Sequence, residues 1–246
     1  MRPTPDKTDY SKEQNMIVVC GDSWMTTDVR YPGAHFSEIL KNQYGYTVIN
    51  LARGGMSNVG ICFQIEQALK LKPKTILFNQ TDAQRMAFSI DKFQPDLGLQ
   101  NIRYTDSVSG SCGSSFVGDE KSPIIDDVLS SLINDYCWTI GENKSKYNLT
   151  EEQKTAIRYY TTYLFDEKFN EVLQSWMFRY WCYEAERHKI KMVDPFDELY
   201  DFTVNHPQWL QGDKVFHTEI DFQQEFAEKI HLILQNINNN ENTDTR

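Results

Sequence analysis

The chain lacks a disulfide framework. Its five cysteines (Cys20, Cys62, Cys112, Cys137 and Cys182) are odd in number, widely scattered and include no C-x-x-C pair. Neither crosslinks nor a zinc knuckle is indicated, and the thiols are read as reduced. Long apolar runs are missing as well: none approaches the ~20 residues that a bilayer-spanning helix needs. The opening stretch MRPTPDKTDYSKEQN is polar throughout, without the apolar core of a signal peptide. No membrane partner is expected, and the chain is read as soluble and cytoplasmic. Basic excess is absent too, because 25 Lys+Arg stand against 35 Asp+Glu for a formal charge of -10. That balance offers phosphate backbones no footprint, so duplex nucleic acid is not an expected partner. There is no Walker lysine, no G-x-G-x-x-G and no internal repeat, which speaks against a nucleotide cradle or a solenoid.

What is present is 246 residues with 40% hydrophobic and 13% aromatic content, enough for one large domain with its own core. Residues 1–15 read as a flexible arm, 16–238 as a single α/β domain, and 239–246 as a disordered polar tail. The run MIVVC from Met16 to Cys20 is apolar, β-branched and stops at Gly21, the pattern of a strand buried on both faces. A helix is expected over 33–42, a second strand from Tyr46, and a second helix capped by Ser57 or Asn58 and running to Pro73. KTILFN, Lys74 to Asn79, supplies a third strand. Strands and helices alternating through short connections imply right-handed crossovers and a parallel sheet. The expected architecture is a three-layer α/β/α sandwich with a flavodoxin-like parallel sheet of four or five strands.

That rhythm breaks after Asp82. An insertion covers about 90–188; its part from 90 to 150 holds a Ser/Gly-rich stretch, Ser107 to Asp119, and no clear strand, with one candidate helix from Ile124 to Leu132. From Asn148 or Thr150 it becomes a long helical region, one bent helix or two, in which T-E-E-Q at 150–153 has the capping-box spacing. Within it Leu173, Trp176, Tyr180 and Tyr183 share one helical face and Phe178 and Trp181 another. Most of these rings are read as core, the alternative being that some wall a substrate cleft. KIKMVDPF, Lys189 to Phe196, reads as a fourth strand, and Glu219 to Asn236 as a closing amphipathic helix.

In an open parallel sheet, ligands bind outside the carboxyl ends of the strands. Three unusual segments fall there: Gly21-Asp22-Ser23, Gly54-Gly55-Met56-Ser57-Asn58, and Asn79-Gln80-Thr81-Asp82. A serine at such a turn can attack a carbonyl if a base takes its proton and amide N–H groups face the oxyanion. V-V-C-G-D-S-W resembles the first block of the SGNH/GDSL hydrolases, and the segment from Asn50 to Asn58 resembles the second. The resemblance covers roughly residues 16–88 and 190–236, and it implies an SGNH-like fold and an esterase.

By that resemblance Ser23 is the nucleophile. The oxyanion hole combines the N–H groups of Ser23 and Gly55 with a third-block donor. The family's G-x-N-D is altered there: Thr81 stands at the aligned Asn position, with Asn79 or Asn58 as substitutes. This departure is shared with divergent SGNH-like proteins, including some of tailed phages, which would place such a chain on a virion. Asp22, Asn58, Asp82 and Arg85 are candidate substrate contacts. His217, just before the last helix, is the general base, with Asp213 orienting its imidazole from four residues upstream instead of the usual three. His206 competes for the role, but loop-like residues follow it. The other histidines, His35, His188 and His231, are read as ordinary packed or surface side chains.

The chemistry implied is hydrolysis of small acyl esters, O-acetyl carbohydrates included, through an acyl-enzyme that needs neither metal nor organic cofactor. Two rivals stand beside it. One is an inactive SGNH-fold binding or structural module. The other is a flavodoxin-like phosphate binder using the Gly54–Ser57 loop at a helix N-terminus.

Overall fold

The computed structural model describes residues 15–28, 30–52, 56–81, 83, 85–88, 108–111, 152, 155–156, 159–160, 163–207 and 218–243, with the side chains of 85–88, 108–111, 167 and 240–243 left aside. The first strand, β1 (Met16–Cys20), is buried at all five positions, as an apolar β-branched run between two layers must be. It is flanked by β2 (Thr47–Asn50) and β3 (Thr75–Phe78), and β6 (Lys191–Val193) follows beyond β3. The order is β2-β1-β3-β6 and every pair is parallel, with Val18 opposite both Ile49 and Ile76.

Alternation along the strands divides the apolar side chains between two cores. Ile17, Val19, Leu77 and Val193 face one side and pack against α1 (Phe36–Asn42) and the last helix, Ile220–Thr243. Val18, Cys20, Ile76 and Phe78 face the other and meet α2 (Asn58–Leu71) and α3 (Glu167–Arg187). Two short helices, α4 (Pro195–Glu198) and α5 (Tyr200–Asn205), link β6 to that last helix, α6. The chain therefore forms an α/β fold with helices on both faces of a four-stranded parallel sheet. The first crossover moves outward from β1 and the second returns across it, so the order reverses between β1 and β3. Crevices for ligands form at such reversals.

Several boundaries differ from the sequence expectation. The Ser/Gly-rich stretch contains β5 (Val108–Ser111), which pairs antiparallel with β4 (Arg85–Phe88) as a separate two-stranded sheet. A four-residue strand rich in Ser and Gly has too little apolar alternation to be read from sequence. The long helical region is broken around Leu164–Asp166, where the Asp166 side chain accepts the Phe169 N–H at 2.9 Å and starts α3 afresh. Helix α6 continues to Thr243, through 239–243 of the stretch expected to be a disordered tail, and the rest of that stretch lies outside the described residues. The flexible-arm expectation for 1–14 lies outside the described residues.

The aromatic helix corrects the packing expectation most. Only one stripe of α3 can meet the sheet, and it is formed by Gln174, Phe178 and Ala185 with Trp181 half-buried. Phe178 stacks on Phe78 with ring centroids 5.6 Å apart. Trp176, Tyr180 and Tyr183 turn outward and are 61%, 55% and 58% exposed. Among the described residues no helix is long and apolar enough to cross a membrane.

The α6 face is a ladder of Phe222, Phe226, Ala227, Ile230 and Leu234, all buried. Phe226 alone contacts the rings of Phe36, Phe196, Phe202 and Phe222. Phe226→Ala should therefore cost about 3–5 kcal/mol of stability, whereas Tyr183→Ala on the outer stripe of α3 should stay within about 0.5 kcal/mol of the parent. Urea unfolding at pH 7 measures both, and equal losses would contradict this division of the aromatic residues.

Candidate functional site

The turn after β1 is fixed by side chains from three separate elements. Asp22, 1% exposed, accepts the Met25 N–H on its carbonyl at 3.1 Å, closing a β-turn with Ser23 and Trp24 as its central residues. The Asp22 carboxylate accepts the Trp24 N–H at 3.1 Å, the local turn bond typical of Asp. From the end of β3, Asn79 grips Asp22 twice: its Oδ1 accepts the Asp22 N–H at 3.1 Å and its Nδ2 donates to Asp22 Oδ1 at 2.9 Å. From α2, Gln64 Oε1 accepts the Gly21 N–H at 2.6 Å and Gln64 Nε2 donates to the Gly21 carbonyl at 3.2 Å. Gly21 has φ 154, and a Cβ there would collide with Asn79 Oδ1 and with Met25. Glycine is thus required by the close approach of the Asn79 carboxamide.

The loop after β3 is held by a second carboxamide. Ser57 caps α2 by accepting the Gly60 N–H at 3.3 Å, which leaves Asn58 at the first helical position with its side chain free to reach sideways. Asn58 Oδ1 accepts the Thr81 N–H at 2.8 Å, and Asn58 Nδ2 donates to the Thr81 carbonyl at 2.7 Å and to Gln174 Oε1 at 2.6 Å. Gln174 Nε2 in turn donates to the Ala83 carbonyl at 3.2 Å. Helix α3 is tied to the site edge by this chain.

Both Nδ2 hydrogens of Asn58 are committed, and those of Asn79 go to Asp22 and, at 3.3 Å, to the Gln80 carbonyl. The structure gives these two residues the work of positioning loops, in place of the oxyanion contact expected of them. Thr81, half-buried with its backbone clamped, stays at the same strand edge. Asp22 serves the turn itself. Arg85 opens β4, and its side chain is not described. Gly55, Asp82, Asp213 and His217 lie outside the described residues.

The nearest described neighbour of His217 in the chain is Thr218, fully buried. Gln223 Nε2 donates to Thr218 Oγ1 at 2.8 Å, while Gln223 Oε1 accepts the Phe36 N–H at 2.8 Å. The start of α6 is thereby fastened to the N-terminus of α1. His35, the residue beside Phe36, has its Nε2 3.3 Å from the Trp24 carbonyl. The turn carrying Ser23 and the segment adjoining His217 share one anchor. His206, the competing histidine, packs on Phe202 and Phe222 and lies 3.5 Å from Glu225 beside a cavity of about 550 Å³ bounded by α5 and α6.

Three participants were not singled out from sequence: Gln64, His35 and Asp194. The H-x-x-E spacing of His35 and Glu38 is a capping-box spacing with an imidazole in the usual Ser/Thr position, and both reciprocal bonds form. Asp194 ends β6 and caps α4, accepting the Phe196 N–H at 3.0 Å and the Asp197 N–H at 3.3 Å. A cavity of about 460 Å³ opens beside the end of β3, lined by Phe78, Gln80, Phe178, Arg179 and Tyr183 among others. Among the described residues no group of three or more His, Cys, Asp or Glu side chains is arranged to hold a metal ion.

Burial dominates the two clearest proton equilibria here. It pushes the Asp194 carboxyl from 3.8 up to about 6, against the N–H groups of Asp197, Phe196 and Gln80 that favour the charged form. It pulls the His35 imidazole from 6.5 down to about 4, against the Trp24 carbonyl and the Asp28 charge. Compared with known proteins, the chain matches no protein-family model and no curated sequence.

The two shifts act on stability with opposite sign. Between pH 3.8 and about 6 the folded chain keeps an Asp194 proton that the unfolded chain has released, so this contribution falls as pH rises. Between about pH 4 and 6.5 the unfolded chain binds a His35 proton that the folded chain does not, so that contribution rises with pH. Asp194→Asn keeps a capping side chain and removes only the falling contribution. Its stability relative to the parent should climb from pH 4 to 6.5 by no more than about 3 kcal/mol and then level off. Urea titrations at half-unit pH steps read this, and parallel curves would contradict it.

Proposed function

We propose that the protein is a serine hydrolase of the SGNH type that cleaves small acyl esters, O-acetyl carbohydrates among them. The observation that carries this reading is the shared anchor. The Ser23 turn and the residue following His217 are tied to adjacent residues of one helix N-terminus, His35 and Phe36, at the sheet edge where the strand order reverses. That edge is where an α/β sheet collects its reactive loops.

In this reading Ser23 Oγ attacks the ester carbonyl carbon as His217 takes the hydroxyl proton. The tetrahedral intermediate then expels the alcohol, which receives that proton. Water, deprotonated by the same imidazole, attacks the acyl-enzyme and releases the carboxylic acid and free Ser23. Asp213 orients the imidazole. The N–H groups of Ser23 and Gly55 receive the oxyanion, with the Thr81 hydroxyl as third donor. The cavity beside Gln80 takes part of the substrate, with Tyr183 and Phe178 as its apolar wall.

A second reading, a non-catalytic module of the same fold, is favoured by one observation: the Asn58 and Asn79 carboxamides both spend their hydrogens on holding loops. A fluorophosphonate probe separates the two. The enzyme predicts covalent labelling of the folded protein that disappears in Ser23→Ala, and hydrolysis of p-nitrophenyl acetate that falls at least about 10³-fold in that variant. Thr81→Val should lower kcat by about 10² with labelling retained. Folded protein that takes up no probe leaves the module.

A further inference from the structure

The His35 ring is completely buried, and both of its nitrogens are engaged. A carbonyl oxygen can only accept, so the nitrogen facing Trp24 O, Nε2, carries the ring proton. Nδ1 is then the acceptor: it takes the Ser37 N–H at 3.3 Å and faces Ser37 Oγ at 2.8 Å. This is an N-cap in which an imidazole nitrogen replaces the usual side-chain oxygen. Asn50 extends the network, its Nδ2 donating to Ser37 Oγ at 3.2 Å and to the Met25 carbonyl at 2.8 Å. The peptide carbonyls of Trp24 and Met25, the residues that follow Ser23, are thus both held from the α1 side of the sheet.

The cap alone does not need histidine. Asn, Asp or Ser would satisfy the Ser37 N–H as well or better. What none of them can do is reach a second backbone group further out while capping the helix. The ring does both because its two nitrogens are held rigidly on opposite sides. The adjacent residue, Phe36, gives its N–H to Gln223, which in turn holds Thr218.

We propose that His35 is a positioning residue. Its Nε2–H fixes the Trp24 carbonyl and hence the aim of Ser23, and with the Phe36–Gln223–Thr218 chain it registers that serine against Thr218, beside the start of α6. The proposal rests on the reading of Ser23 as nucleophile, and it makes a statement about the turn that can be measured separately.

Two variants divide the ring's tasks. His35→Asn keeps an acceptor near the place of Nδ1 and a good cap, but its carboxamide stops short of Trp24. His35→Gln keeps a donor near the place of Nε2 and gives up the cap. In the Asn variant, Tm should stay within a few degrees of the parent. Fluorophosphonate labelling of Ser23 should slow at least tenfold, and kcat on p-nitrophenyl acetate should fall by a similar factor with KM within twofold. The Gln variant should melt earlier yet label faster than the Asn variant. Labelling of folded His35→Asn at the parental rate overturns the proposal. If that variant does not fold, loss of labelling by tenfold or more in folded His35→Gln overturns it instead.

Should the parent protein itself take up no probe, the nucleophile reading fails while the positioning claim remains open to test. The Trp24 and Met25 amides, both bonded within the turn, should then exchange hydrogen at least tenfold faster in His35→Asn than in the parent. Unchanged exchange overturns the claim.

Discussion

The reciprocal pair between Asp22 and Asn79 is the contact on which the rest of the strand edge depends. It joins the second residue after β1 to the first after β3, the two strands between which the sheet order reverses, through two buried hydrogen bonds, one of them to an acidic side chain. Such charge-assisted bonds are roughly twice as strong as neutral ones, and a buried group left without its partner costs more than the bond itself contributes. The pair also dictates sequence around it. Gly21 must lack a side chain because the Asn79 carboxamide occupies that space, and Gln64 must supply the bonds that the Gly21 peptide cannot find in the sheet.

Around this contact the two faces of the sheet contribute differently. The α2/α3 face supplies carboxamides: Gln64 holds the first loop, and Asn58 with Gln174 holds the third. The α1/α6 face supplies His35 and Gln223, which tie the turn to the start of the last helix. Loops that would otherwise move independently are each bonded to a helix already fixed by one of the two apolar cores. Neutral amides dominate this scaffold, so acid or salt has few charges there to disturb. Asp194 and His35 are two groups through which pH acts on this edge between about 4 and 6.5.

The four strands of the parallel sheet were legible because each is a short apolar run ended by Gly, Asn or Asp, and period-two alternation requires helices on both sides. The three loops were legible as a convergence of polar segments at one sheet edge. The jobs within them were not. Asn79 and Asn58 look like spare donors in one dimension, and only the spatial partners Asp22, Thr81 and Gln174 reveal that their hydrogens are taken. His35 looked ordinary because a buried imidazole cap leaves no periodic signal beyond its spacing to Glu38. The outward stripe of α3 was misjudged for a related reason: rings on both sides of a helix do not say which side meets the sheet.

The central claim is that the serine of the β1 turn and the imidazole just before α6 act on one ester. A crystal structure of the protein after reaction with a fluorophosphonate tests it most directly. The account predicts phosphorus bonded to Ser23 Oγ and the His217 imidazole within about 3 Å of the serine oxygen, beside the loop that carries Thr81. An adduct on another residue, or a Ser23 adduct with His217 on the far side of the sheet, would contradict it.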